Sequence, residues 1–131
     1  MSAAKPFFDT NVLLYLLASD AKADKAETLL AAGGVISVQV LNEFASVAFR
    51  KLKMSWPEIR EILTTIRSIC EVVPLTVDIH EAGLVIAERY QLSFYDSLIL
   101  AAAELHDCRE VYSEDMGDGQ KIGRVTIRNP F

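Results

Sequence analysis

The sequence predicts an α/β domain in which a small, mainly parallel sheet of four to five short strands lies between layers of helices. Three observations predict it. Short apolar runs alternate with longer segments whose apolar residues recur at helical spacing. Ser, Thr or Asp stands at the head of most helical segments, where a capping oxygen is needed. The strand–helix–strand order calls for right-handed crossovers between parallel strands. With 131 residues, 51% of them hydrophobic, the chain can build one core without disulfide or metal staples.

Lys5 to Phe8 reads as the first strand, with Asp9 where it ends. Thr10 or Asn11 is placed to cap a helix through Leu17. Asp20 caps a second helix, with Ala23, Ala26, Leu29 and Leu30 at helical spacing and Gly33 and Gly34 as its stop. Val35 and Ile36 make the second strand. Ser37 caps a third helix to about Leu52. Ser55, Pro57 and Glu58 form a capping box with proline in the first turn, opening a helix that carries Ile59, Ile62, Leu63, Ile66 and Ile69. Val72 and Val73 are the third strand, ended by Pro74. Thr76 begins a helix to about Tyr90. Ser93 begins another through Leu105, apolar all round at its centre and so buried on several sides. Glu110 to Ser113 form the fourth strand, and Lys121 to Ile127 a fifth, alternating Ile122, Val125 and Ile127.

The net charge of −5 and a pI near 5.0 argue against holding nucleic acid by bulk electrostatics. Arg50, Lys51 and Lys53 form a local basic patch suited to phosphate. Cys70 and Cys108 lack any CxxC partner, which points to a reducing compartment and not to a disulfide or zinc site. The start carries no apolar signal run, and no apolar run is long enough to span a membrane. The expectation is one cytoplasmic domain over residues 1–131, with no membrane contact.

The chemistry lies in four acids beside apolar segments: Asp9, Glu43, Asp96 and Asp115. An isolated carboxylate in such a place is costly unless it is paired or bound to metal. Parallel sheets gather ligands at the carboxyl ends of their strands. Asp9 follows strand one and Asp115 follows strand four, so both belong at one rim. Asp96 opens a helix feeding that rim, and Glu43 lies about two turns into the helix after strand two. Clustered carboxylates repel, which raises the pKa of at least one and is relieved by a hard divalent cation with oxygen ligands. Each acid also has an ordinary use. Asp9 can cap a helix, Glu43 can be solvated beside Gln39, Ser46 and Arg50, Asp96 can complete the Ser93 cap, and Asp115 can belong to a solvated turn with Glu114 and Asp118. His80 and His106 lie away from these segments and read as structural or surface residues. No GxSxG, HExxH or phosphate-cradling glycine loop occurs.

Taken together, Asp9-Thr10-Asn11 after an apolar strand, Asn42-Glu43-Phe44, Tyr95-Asp96-Ser97 before LILAAA, and Ser113-Glu114-Asp115 resemble the four acid motifs of the PIN domain. The resemblance covers essentially the whole chain and is nearest to the VapC-type toxins of toxin–antitoxin pairs. It implies a PIN-like three-layer α/β/α fold and an endoribonuclease dependent on Mg²⁺ or Mn²⁺. Asp9, Glu43, Asp96 and Asp115 would form the metal and catalytic set, with Glu43 best suited to orient or deprotonate the attacking water. Thr10, Asn11 and Asp118 would support them from behind. It also implies an RNA substrate, a homodimer and a VapB-type antitoxin, for which Leu13, Leu14, Leu16, Leu17, Ile59, Ile62 and Ile66 are candidate apolar surfaces. Two other readings are an aspartyl-nucleophile phosphatase built on Asp9 and a PIN-like domain that binds RNA or protein without cutting. The first wants a second acid where this chain has Asn11; the second leaves the intact acid set without a use.

Overall fold

The computed structural model describes residues 4–131; residues 1–3 of the expected domain lie outside the described residues. Among those described, six strands form one sheet. They are β1 (Phe7–Phe8), β2 (Val35–Ser37), β3 (Glu71–Val73), β4 (Glu110–Tyr112), β5 (Lys121–Ile122) and β6 (Val125–Arg128). The order is β3-β2-β1-β4-β6-β5, parallel throughout except for the antiparallel pair β5–β6. The expected fifth strand is therefore a hairpin. Gly123, at φ 59°, breaks the alternating run where the chain must reverse, and a period of two reads the same on both sides of that break.

Six α-helices cover the sheet: α1 (Thr10–Leu14), α2 (Ala21–Ala31), α3 (Val38–Arg50), α4 (Trp56–Ile69), α5 (Val77–Tyr90) and α6 (Phe94–Leu105). Asp20, Ser37, Ser55, Thr76 and Ser93 cap α2 to α6 in turn, and Ser55 and Glu58 close both halves of a capping box. Two ends differ from expectation. The first helix is capped by Asp9, not by Thr10 or Asn11, and passes into a 3₁₀ turn at Tyr15–Leu17. The third stops at Arg50, because Lys53 takes left-handed backbone (φ 57°) and Met54 N–H turns back to Ala48 O.

The core is continuous across both faces of the sheet, with Phe7, Phe8, Ile36, Phe44, Leu100, Val111 and Ile127 all fully buried. Seven successive residues of α6, Ser97 to Ala103, are buried, as its all-round apolar centre requires. Leu13, Ile59 and Ile66 are core residues and are not available as partner surfaces. Leu14, Leu16, Leu17 and Ile62 are partly buried. Cys70 and Cys108 are free and buried, and burial pushes both thiols up to about 11. No helix among the described residues is long and apolar enough to cross a membrane.

Candidate active site

Because β1 and β4 run parallel and side by side, their carboxyl ends open at the same rim. Asp9 leaves β1 there with its N–H on Tyr112 O at 3.0 Å, and it is only 5% exposed. One of its oxygens accepts Thr10 N–H at 2.7 Å; the other accepts the Ser113 hydroxyl at 2.8 Å. Ser113, fully buried just past β4, also accepts the N–H groups of Asp115 and Met116 at 3.2 Å each. One hydroxyl thus fixes Asp9 and shapes the turn that presents Asp115. Asn11 donates its side-chain amide to Asp115, closing this half of the site.

The other half comes from α3 and α6. Glu43 accepts the Thr10 hydroxyl at 3.3 Å and the Gln39 amide at 2.7 Å. The same amide donates to Tyr95 O at 3.1 Å, tying Glu43 to the first turn of α6, where Asp96 stands half-buried with its N–H on Ser93 Oγ at 3.2 Å. Gln39 is 5% exposed, and its carbonyl oxygen is buried without a partner. Sequence reasoning gave no role to Gln39 or to the Ser113 hydroxyl. Gln39 stands four residues before Glu43 on one helix face, which was the only signal of its part.

Burial raises the Asp9 carboxyl to about 6; the hydrogen bonds from Ser113 and Thr10 oppose this, and the negative charges of Asp96 and Glu43 add to it. Repulsion was the cause expected from the sequence, and desolvation is the larger one. Among the described residues, none of the four acids takes part in an ion pair with Lys or Arg. Glu114, their neighbour, does: Lys22 Nζ lies 2.8 Å away and holds that carboxyl below its usual range. Asp118 lies outside the network, exposed, with its carboxylate engaged by Asn129 N–H at 2.9 Å. His80 and His106 are both exposed, His80 edge-on against Phe94.

The donor atoms are oxygens, which suit Mg²⁺ or Mn²⁺ and not a soft metal. The acid set also carries negative charge that no Lys or Arg ion pair among the described residues neutralises. Among the described residues, no three His, Cys, Asp or Glu side chains converge closely enough to cage an ion by themselves.

The PIN domain family matches residues 7–117, which contain Asp9, Glu43, Asp96 and Asp115. The chain belongs to the PIN-domain family. No curated protein sequence matches it significantly. Solved structures resemble this PIN domain over nearly its whole length. A toxin–antitoxin complex from Klebsiella pneumoniae superposes with a TM-score of 0.75 at 23% identity, over 96% of this chain and 98% of that one. VapC20 of Mycobacterium tuberculosis, a toxin that cleaves the sarcin–ricin loop, gives 0.66 at 23% identity, over 83% and 88%. VapBC2 from Rickettsia felis, bound to a DNA fragment from its promoter, gives 0.67 at 18% identity, over 94% and 96%.

Proposed function

We propose that this PIN domain is a metal-dependent endoribonuclease and the toxin of a toxin–antitoxin pair. The observation that carries the reading is Asp9, a buried carboxylate at the end of a central strand, flanked by Glu43 and Asp96 and, among the described residues, ion-paired with no Lys or Arg. Asp9, Asp96 and Asp115 would hold Mg²⁺ or Mn²⁺, with Glu43 completing the set. When bound, the ion supplies Lewis-acid charge to the phosphoryl oxygens and makes water acidic enough to react near neutral pH. The chain's own residues do the rest. Ser113 and Thr10 fix the Asp9 carboxylate. Asn11 holds Asp115. Gln39 and the Thr10 hydroxyl orient Glu43, which accepts the proton of the attacking water.

The toxin reading is supported by the three structures above and by a groove of about 450 Å³ between α2 and α4. It is lined by Leu16, Leu17, Ile62 and Ile69, with Glu27 and Glu61 at its margins. An amphipathic helix of a VapB-type antitoxin, apolar on one side and basic at its edges, fits such a groove. Val77, Leu84 and Val85, exposed at helical spacing on α5, support a homodimer. A cytoplasmic site of action accords with free, buried thiols.

Cleavage of RNA by the purified chain tests the reading. Activity should require Mg²⁺ or Mn²⁺ and stop with chelator. Asp9→Asn and Asp96→Asn should each lower the rate by roughly a hundredfold or more with the fold intact. Full activity in excess chelator would overturn the metal mechanism. A chain that is harmless when expressed alone would overturn the toxin role.

A further inference from the structure

Two exposed aromatic rings stack face to face at the far end of α3. Phe49 and Trp56 are 43% and 52% exposed, with ring centroids 4.1 Å apart and planes 10° apart. The turn between α3 and α4 produces the stack. Left-handed Lys53 and the Met54-to-Ala48 hydrogen bond of 3.1 Å fold the chain back so that the first residue of α4 lands on Phe49. Beside the rings, Phe49, Arg50, Lys53 and Met54 line an open groove of about 410 Å³.

The charge here runs against the rest of the molecule. Within a chain of net charge −5, Phe49 to Arg60 holds Arg50, Lys51, Lys53 and Arg60 against Glu58 alone. Glu58 is already engaged by Ser55 N–H at 2.9 Å in the capping box. Arg50, Lys51 and Lys53 are exposed, and none of them forms an ion pair among the described residues. Flat rings bordered by free cations match a nucleobase and its phosphates. A protein interface would instead be depleted of lysine around its aromatic anchors, where this patch has Lys51 and Lys53.

The patch is also aligned with the acid site. Arg50 lies seven residues after Glu43, two turns along the same face of α3 and about 10 Å away. Between them, Ser46 Oγ accepts from Arg50 Nε at 3.0 Å, which holds the guanidinium on that face. We infer that the Phe49–Trp56 stack is a base-stacking platform for single-stranded RNA, with Arg50, Lys51 and Lys53 holding the adjoining phosphates. This rests on reading the acid site as a ribonuclease. It places the RNA along α3, running from Glu43 towards Trp56.

Trp56 is the chain's single tryptophan, so its emission reports on this spot alone. The full-length Asp9→Asn chain, which binds without cutting, is titrated with a short fluorescein-labelled oligouridylate in Mg²⁺. The tryptophan should be quenched on binding. Trp56→Ala should weaken binding by about tenfold by anisotropy, whereas Trp56→Phe, which keeps a ring, should stay within about twofold. Replacing Arg50, Lys51 and Lys53 by Ala should flatten the salt dependence by about 0.7 in log–log slope for each phosphate that is no longer neutralised. Melting curves of these surface variants should match the parent. A wild-type chain that cuts RNA while Trp56→Ala binds as well as the parent overturns this inference and leaves the ribonuclease reading standing. Loss of a dimer in the Phe49→Ala/Trp56→Ala chain, with RNA affinity unchanged, assigns the stack to a protein interface and also overturns it. A chain that neither binds nor cuts RNA overturns both readings.

Discussion

At Asp9, burial and charge oppose each other. The folded chain holds this carboxyl at about 6 against an ordinary 3.8, so the fold disfavours its ionised form. Between those two values the native state binds a proton that the unfolded chain has released, and stability falls as pH rises through the window. Above it the penalty is fully present, on the order of 3 kcal/mol before relaxation. Asp9→Asn should therefore raise the melting temperature of metal-free protein at pH 8 and change it little at pH 4. Thermal melts at the two pH values measure this, and an equal shift at both would remove the electrostatic cause. Gln39→Leu should leave the fold but lower kcat/KM for RNA by roughly 10–100-fold, because Glu43 loses the amide that orients it. Steady-state kinetics beside a melting curve separate the two effects. The four acids were legible because their residue type was out of place beside apolar runs. Ser113 and Gln39 as partners were not, since a serine after a strand and a glutamine on a helix are ordinary until their neighbours in space are known.

Among the elements, the pairing of α5 with α6 matters most to the site, because α6 carries Asp96. Gly83 lets the two helices approach: a methyl group there would stand 2.6 Å from Leu98 Cδ2 and 3.5 Å from Leu98 Cα. Gly83→Ala should push the Leu98 side chain from its place and cost about 1–3 kcal/mol, with a fall in activity because Leu98 stands two residues from Asp96 on α6. Chemical denaturation measures the first effect and RNA cleavage the second. Helix starts could be read from the sequence because capping is local, as Ser55 with Glu58 shows. The ends of α5 at Tyr90 and α6 at Leu105 could too, but the end of α3 and the hairpin could not. They depend on left-handed residues such as Lys53 and Gly123, whose conformation is set by where the chain must go next.

For the whole molecule, the metal role proposed for the acid set would make stability a function of metal. An ion that binds only the folded cluster should raise the folding free energy with the logarithm of its concentration, by about 2.7 kcal/mol at a hundredfold excess over Kd, and the melting temperature with it. Calorimetry across a Mg²⁺ series tests this. An unchanged melt for both parent and Asp9→Asn chains would mean that the acids do not share an ion. The parallel sheet was predictable at this scale because strand–helix alternation leaves few topologies. The strand order, with β1 between β2 and β4, brings Asp9 and Asp115 together across more than a hundred residues.

Cys70 and Cys108 join this protein at two seams, one between α4 and β3 and the other between α6 and β4. Their thiols are sealed from solvent and hold their protons far above neutral pH, so an alkylating reagent finds no thiolate in the native fold. Each becomes a clock that starts only when its own seam opens. Timed alkylation followed by peptide mass analysis would read both clocks in one experiment. Equal rates would show a molecule that opens as one unit, and a faster Cys70 would show that the α4 side lets go first.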